Sequence, residues 1–442
     1  MAIDITATNA SGAAGAKTAK STARTVFGQQ VDPVSSVISQ VATARGAENF
    51  TRNSTLKVVV IEKEEELRDH AAAWQDLADH AMESNAFYEP WMLMPAVKTL
   101  GQGKSLHFIF IYETNPHDPA GAARLHGFFP VELLIRFRGL PIRAVRLWQH
   151  LHCFLCTPLV RAEHAGQTLG AFLEWAAKGP RAAIVDFSLV GGDGPFHRLL
   201  IEHTDETGSL ARVTNSTTRA LWKRGEDLEV SLRQTLSGGI LKEYRRQRRR
   251  LGEMGRLEFN SVVQADGVDD WIVEFMRLEA SGWKAREGTA LQTNANQRAY
   301  VQEVARNGFA RGQALLHGLF LDGQPVAMLF SFRAGVGIFA FKIAYDETFA
   351  KYSPGVQVML GVLAHLHHDS RFAWIDSCAE SDHSMVNRLL QDRRTINKVL
   401  LSTGRLAGNL TLWAYPAGKW LSHLIRGKSN KTSPKGASCA PR

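Results

Sequence analysis

The chain has 442 residues, 45% hydrophobic and 21% charged, a balance that fits one large or two average globular domains. It excludes collagenous, coiled-coil and wholly disordered chains, and without an apolar run near 18 residues no membrane-spanning helix is expected. The net charge is +9, yet residues 393–442 hold ten basic and no acidic residues, leaving 42 basic against 43 acidic in 1–392. A neutral body with a basic end does not suit a nucleic-acid binder, which needs a basic folded face, so no DNA partner is expected. Four cysteines make no disulfide framework, and the start lacks the apolar core of a secretory signal. A cytoplasmic protein is expected.

Residues 1–55, rich in Ala, Ser, Thr and Gly, read as a disordered arm. Structure begins with the strand LKVVVI at Leu56 and a helix over Glu64–Glu83 with Leu67, Trp74 and Leu77 on one side. Strands follow at Ser105–Glu113 and Leu125–Phe137, then a helix at Gly166–Lys178 and a buried strand at Ala182–Val190. The second half repeats that order, with a strand at Leu257–Val263 and a helix over Val268–Trp283. Two strands then meet at Asp322-Gly323, a hairpin signal. The strand GIFAFKIAYD, a helix from Pro354 and the strand RFAWIDSCA complete it.

Two short matches support duplication. Asp186, followed twelve residues later by Arg198-Leu199-Leu200, parallels Asp376 followed by Arg388-Leu389-Leu390. Leu125-His126-Gly127 parallels Leu316-His317-Gly318. The concordant offsets of 190 and 191 favour a duplicated α/β unit.

Phe341-Lys342-Ile343-Ala344-Tyr345-Asp346-Glu347, then Tyr352-Ser353-Pro354-Gly355-Val356-Gln357, is the most informative segment. A strand ends in polar residues, and Ser as N-cap with Pro in the first turn opens a helix. The N–H groups and positive dipole end there suit a phosphate or an oxyanion; the plainer reading is a helix start. Lys242–Arg250 carries six basic residues in nine and reads either as an anion-binding face or as a solvated one. Trp283 and Lys284 read as a pocket wall and an anion holder, or as core. His150, His152, Cys153 and Cys156 fall short of a tetrahedral ligand set, so no metal is expected. His365, His367 and His368 lack the spacing of a metal-binding helix face.

Together Leu236–Gly255, Arg277–Leu291, Leu319–Met328, Phe341–Leu360 and Trp374–Arg394 resemble the FemAB/CelD-like (cellulose biosynthesis protein-like) branch of the GNAT acyltransferase superfamily. The likeness is close over about 236–394 and looser over 56–215, through PVELLIRFRGLPIRAVRLW and the CTPLV turn. It implies an α/β (α+β) fold of tandem GNAT-like units, each a twisted mixed sheet flanked by helices, and acyl transfer from a thioester or aminoacyl donor to an amine. The usual glycine-rich pyrophosphate loop is absent, and Tyr352–Gln357 stands in its place, so an aminoacyl-tRNA donor is an alternative to acyl-CoA.

The expected organisation is thus an arm at 1–55, GNAT-like units at 56–222 and 223–405, and a basic amphipathic tail at 406–442. The second unit is expected to be catalytic. Asp346 is the first candidate base, since the attacking amine must be neutral, and Asp376 the second, both at strand ends facing the cleft. Tyr345 or Tyr352 would protonate the leaving group, and Lys342 would orient an acid or bind donor phosphate. Tyr352, Ser353, Pro354, Gly355, Val356 and Gln357 would hold acyl-CoA; Trp283 and Lys284 would face the acceptor. In the first unit Cys156–Leu159 stands where the second has Ser-Pro-Gly. The acceptor is a small molecule or a glycan, and a non-catalytic role in exopolysaccharide or cellulose production is the third reading. In the tail, Trp and Leu beside Lys419, Arg426, Lys428 and Lys431 suit an anionic membrane surface; the plainer reading packs its apolar residues onto the second unit.

Overall fold

The computed structural model describes residues 55–114, 123–282, 288 and 290–415. The first half runs β1 (Thr55–Ile61), α1 (Ala71–Asp79), α2 (Pro90–Leu100), β2 (Leu106–Thr114), β3 (Arg124–Leu134), β4 (Ala144–Leu147) and β5 (Leu159–Val160). It ends with α3 (Ala165–Lys178), β6 (Ile184–Gly191), α4 (Pro195–Thr207) and β7 (Ala211–Lys223). The linking segment holds α5 (Leu228–Thr235) and α6 (Gly238–Gly252). The second half is β8 (Leu257–Ser261), α7 (Gly267–Ser281), α8 (Ala295–Ala310), β9 (Ala314–Leu321), β10 (Gln324–Ala334) and β11 (Gly337–Tyr345). Then come α9 (Pro354–His367), β12 (Trp374–Asp376), α10 (Ser384–Leu389) and β13 (Asp392–Ser402).

The thirteen strands of the described residues form one mixed sheet. In each half four antiparallel strands are followed by a fifth that is parallel to the fourth, across α3 in one case and α9 in the other. The last strand of each half then pairs with the fifth strand of the other. β13 lies beside β6, β7 beside β12, and β7 and β13 pair along the centre. Neither half therefore completes its sheet alone.

The larger core is shared as well. Phe87, in the short 3₁₀ turn Ala86–Tyr88 before α2, packs edge-on against Phe339 of β11 and Phe332 of β10, with centroids 5.4 and 6.5 Å apart. A second core, with Val358, Met359 and Val362 of α9 against Leu329 and Ile338, covers the opposite face of the second half.

The structure refines the repeat. Asp186 and Asp376 do occupy the fifth strand of their halves, and Arg198 and Arg388 the helix after it. The Leu-His-Gly match pairs the third strand of one half with the second of the other, so that offset is a coincidence of buried strand composition. Cys156–Leu159 does not open the first crossover helix; α3 starts at Ala165, and Leu159 belongs to β5. The helix expected over 64–83 begins with a tight 3₁₀ stretch at Glu64–His70.

A further correction concerns the chain end. A helix spans 406–415, but its Leu412 packs mainly on the first half, against Phe137, Ala144 and Ile184, with Leu400 of β13 as its buried partner from the second half. The arm at 1–54 and the tail from 416 lie outside the described residues, as do Trp283 and Lys284.

Candidate active site

β12 pairs with β11 only over Gly337–Phe339, so Ala340–Tyr345 continue without a partner on that side. The divergence is held from both ends. Trp374 lies on Gly337, where a Cβ would fall 1.9 Å from the indole. A bulge leaves Phe341 between the pairs Phe330–Lys342 and Ser331–Ala340, and a bulge bends its strand. α9 starts beside the end of β11, and its first turn opens into a cleft of about 260 Å³.

Ser353, Pro354, Gly355 and Val356 line this cleft, with Tyr345, Ala350, Tyr244 of α6, and Ser384, Met385 and Arg388 of α10. Ser353 does not cap with its side chain. It takes a left-handed conformation, φ 53° and ψ 54°, and its carbonyl receives the N–H groups of Val356 and Gln357 at 2.9 and 3.1 Å. Proline has no N–H, so Gly355 carries the N–H of the first turn without an acceptor among the described residues. A Cβ on Gly355 would meet Met385 Sδ at 3.1 Å and Tyr345 Cδ1 at 3.6 Å; the glycine is buried, and without a side chain it lets Met385 and Tyr345 close on the backbone at the cleft wall. The helix dipole adds positive potential there.

Tyr352 and Gln357 do not line the cleft. Tyr352 lies half-buried against the second core, with Lys351 Nζ 5.0 Å from its ring centre. Gln357 is wholly buried and donates to the carbonyl of Tyr244 at 2.9 Å, pinning α6 to α9. Lys342 is half-buried with its ammonium 5.5 Å from the Phe341 ring centre. On the other side of β11 a hollow of about 30 Å³ is lined by Leu278, Glu279, Gly282, Ile343, Ala344, Tyr345 and Glu347, room for a water or two. Tyr345 borders both spaces. Asp346 borders neither; it caps the turn after β11, accepting from Thr348 N and Oγ1 at 2.9 and 2.7 Å.

Asp376 does not face the cleft, which corrects its reading as a second base. It is fully buried; Arg219 Nη2 donates to it at 2.7 Å and Arg394 Nη1 at 3.1 Å. Burial disfavours its charge, but Arg219, seconded by Arg394, holds the carboxyl below its ordinary range. A carboxylate so held makes a poor base. Arg394 also donates to Glu83 at 3.1 Å. Burial raises the Glu83 carboxyl despite Arg394, because Glu83 shares one arginine where Asp376 has two. The duplicated Asp186 is likewise buried, near Arg146 and Lys398 at 3.2 and 3.1 Å.

Sequence reasoning passed over Tyr244, Ser384, Met385, Arg388 and Glu347 as site residues. Arg388 had a signal, the repeat that pairs it with Arg198. Arg198 lines a hollow of about 560 Å³ at the start of α3, the first half's counterpart, where Glu202 and Glu206 also stand; two carboxylates oppose an anion there. Of the six basic residues on α6, Arg245, Arg246 and Arg249 pair with Glu229, Glu243 and Glu253, so half of that charge is locally balanced. Cys153 and Cys156 are buried with sulfurs 3.6 Å apart, and His150 beside them is pushed down by burial to about 3. No cluster of metal-ligating residues occurs among the described residues.

Residues 240–383, which hold the diverging strand and the helix start beside it, match the family model of an acetyltransferase (GNAT) domain. Over those residues the chain is similar to acetyltransferase (GNAT) domains. Among solved structures it is similar to the C-terminal domain of a putative lysylphosphatidylglycerol synthetase from Agrobacterium fabrum, at 13% identity over 78% of this chain and 95% of that one, with a TM-score of 0.47. FemX shares 10% identity over 78% and 96%, TM-score 0.49. A tandem GNAT protein from the clavulanic acid biosynthesis pathway shares 13% over 79% and 99%, TM-score 0.40. A comparison with curated proteins gave no match.

Proposed function

We propose that this protein transfers an acyl group from a thioester donor, acyl-CoA, to an amine of a polar acceptor, with the donor's reactive end at the start of α9. The observation that carries this is the cleft at the first turn of α9, whose wall is lined by Gly355 beside Tyr345, Met385 and Arg388. At about 260 Å³ it is below the roughly 300–1,000 Å³ of whole-ligand pockets, so it takes the acyl-bearing arm and leaves the nucleotide outside. We read 56–222 and 223–405 as two GNAT-like units, the second catalytic.

The neutral amine attacks the thioester carbonyl carbon, and the developing oxyanion is met by Gly355 N–H and the helix dipole. Collapse breaks the C–S bond, and the thiolate takes the Tyr345 hydroxyl proton. The excess proton on nitrogen passes to a carboxylate, directly or through water. Glu347, which borders the small hollow beside Tyr345, is better placed for this than Asp346. Arg388 pairs with a donor phosphate. The aminoacyl-tRNA alternative draws on the basic face of α6, but its half-balanced charge supports it less. A place in exopolysaccharide or cellulose production remains the outer bound of the CelD-like resemblance.

The test is thiol release from acetyl-CoA across a panel of amines. Tyr345→Phe and Glu347→Gln should each lower kcat about a hundredfold, the usual weight of acid–base groups, and Asp346→Asn only a few-fold. Transfer from charged tRNA without thiol release would overturn the donor assignment. Binding of acceptor with no turnover from either donor would make the protein non-catalytic.

A further inference from the structure

The far end of the first half carries a surface that the acyltransferase reading does not use. Three segments meet there: the β3–β4 connection at 135–143, the α3–β6 connection at 179–183, and the start of the 406–415 helix. They surround a hollow of about 310 Å³ lined by Pro141, Ile142, Arg143, Arg181, Ala183, Arg405 and Ala407. Arg136, Arg138, Arg143, Arg181 and Arg405 sit on these segments, which contain no acidic residue. None of the five joins an ion pair among the described residues. Arg143 and Arg405 are steadied by the carbonyls of Pro180 and Ala177, at 3.4 and 3.3 Å. Arg138 lies 5.0 Å from the Tyr415 ring centre.

The 406–415 helix is apolar on two opposite faces. Gly408, Leu412 and Tyr415 recur at helical spacing and face inward, Leu412 and Tyr415 against Phe137 and Ile142. Leu406, Leu410 and Trp413 have the same spacing on the other side and are 75%, 56% and 79% exposed. Ile135 at the hairpin is 80% exposed and Leu140 48%. A helix with two apolar faces and one partner has an unmet face.

We propose that this face docks the protein on an anionic lipid bilayer, with Trp413, Leu406, Leu410 and Ile135 entering the headgroup–acyl boundary and the five arginines meeting lipid phosphates. Charge selects the occupant. A second copy would bring the same arginines against these in a symmetric pairing. Residues 416–442 hold six basic and no acidic residues, so that segment is repelled by the patch and attracted to the same membrane. Trp and Leu on the helix, with Arg on the connections beside it, combine the groups by which an interfacial surface binds anionic lipid. The inference does not rest on the donor or acceptor chemistry.

Sedimentation of the full chain with vesicles of phosphatidylcholine containing 30 mol% phosphatidylglycerol (roughly the anionic content that builds a surface potential), against pure phosphatidylcholine, tests it at low salt. The protein should pellet with the anionic vesicles alone. R136Q/R143Q/R181Q should weaken partitioning about a hundredfold, at roughly fivefold per basic group, and I135S/L406S/W413S by a similar factor. These side chains are exposed, so both variants should keep the parent's Tm and thiol-release activity. A full chain with Lys419, Arg426, Lys428, Lys431 and Lys435 changed to Gln should retain face-dependent binding. Equal partitioning of the parent and both face variants would overturn the proposal. So would loss confined to the tail variant, or a concentration-dependent dimer abolished by W413S without vesicle binding.

Discussion

Arg394→Met tests the buried charge network that joins the halves. Arg394, on β13, donates to Asp376 of the second half and Glu83 of the first, both at 3.1 Å, and is itself 9% exposed. The substitution keeps the bulk and removes the charge. Asp376 retains Arg219 and the Cys378 N–H at 3.0 Å. Glu83 keeps only Phe196 N–H and Thr157 Oγ1, at 3.4 and 3.5 Å. The cost therefore falls on Glu83, and breaking a buried pair from one side is worth about 3–5 kcal/mol. Its sign with pH follows from the carboxyl, which burial already raises above 4.5 and which rises further without Arg394. Below 4.5 it is protonated folded and unfolded, and the Glu83 part of the deficit vanishes. As pH climbs through the folded value the deficit grows to its full size. Urea unfolding at pH 4 and pH 8 measures both limits, and Glu83→Gln in the Arg394→Met background should recover at least half of the pH 8 loss. A deficit under about 1 kcal/mol (the scale of an exposed pair), or one unchanged between the two pH values, would refute the reasoning.

Gly355→Val should raise the donor KM about tenfold or more, since the added atoms press on Met385 and Tyr345 at the cleft wall; steady-state kinetics checks it, and a melt separates lost binding from lost stability. Glu89, buried and pushed up to about 7 despite hydrogen bonds from Trp91 and Gln313, loses stability as pH rises from its ordinary 4.5 to 7 and no further above. Glu89→Gln should therefore stabilise the protein by about 3 kcal/mol at pH 8 and not at pH 4, at 1.36 kcal/mol per pKa unit, read from unfolding at both pH values. Ending the chain at Gln391 removes β13 and leaves β6 and β7 without their shared neighbour. Neither half should then unfold cooperatively, and a sharp calorimetric transition from that truncated chain would count against the exchanged-strand account.

Alternation and buried apolar runs made most of the strands legible in the sequence, as in LKVVVI, SLHFIFIYE and GIFAFKIAYD, and Asp322-Gly323 marked its hairpin with both residues at positive φ, 48° and 80°. Those signals are local, set by which face meets water and which turn needs a left-handed backbone. Ser-Pro-Gly likewise located the cleft, four of its six candidate residues lining it. β7 and β13 had no such signal. ARVTNSTTRALWK and DRRTINKVLLS are rich in Thr, Arg and Asn, yet they form the centre of the sheet, because their partners come from the other half and their arginines neutralise buried carboxylates. For the same reason Asp376 looked like a base at a strand end and proved to be a counter-ion. Tyr244, Ser384, Met385 and Arg388 reach the cleft from helices more than a hundred residues apart at the extremes. Sequence spacing determines which residues share a strand or helix face; only the exchange of final strands, a long-range pairing that local energetics does not encode, decided which faces meet.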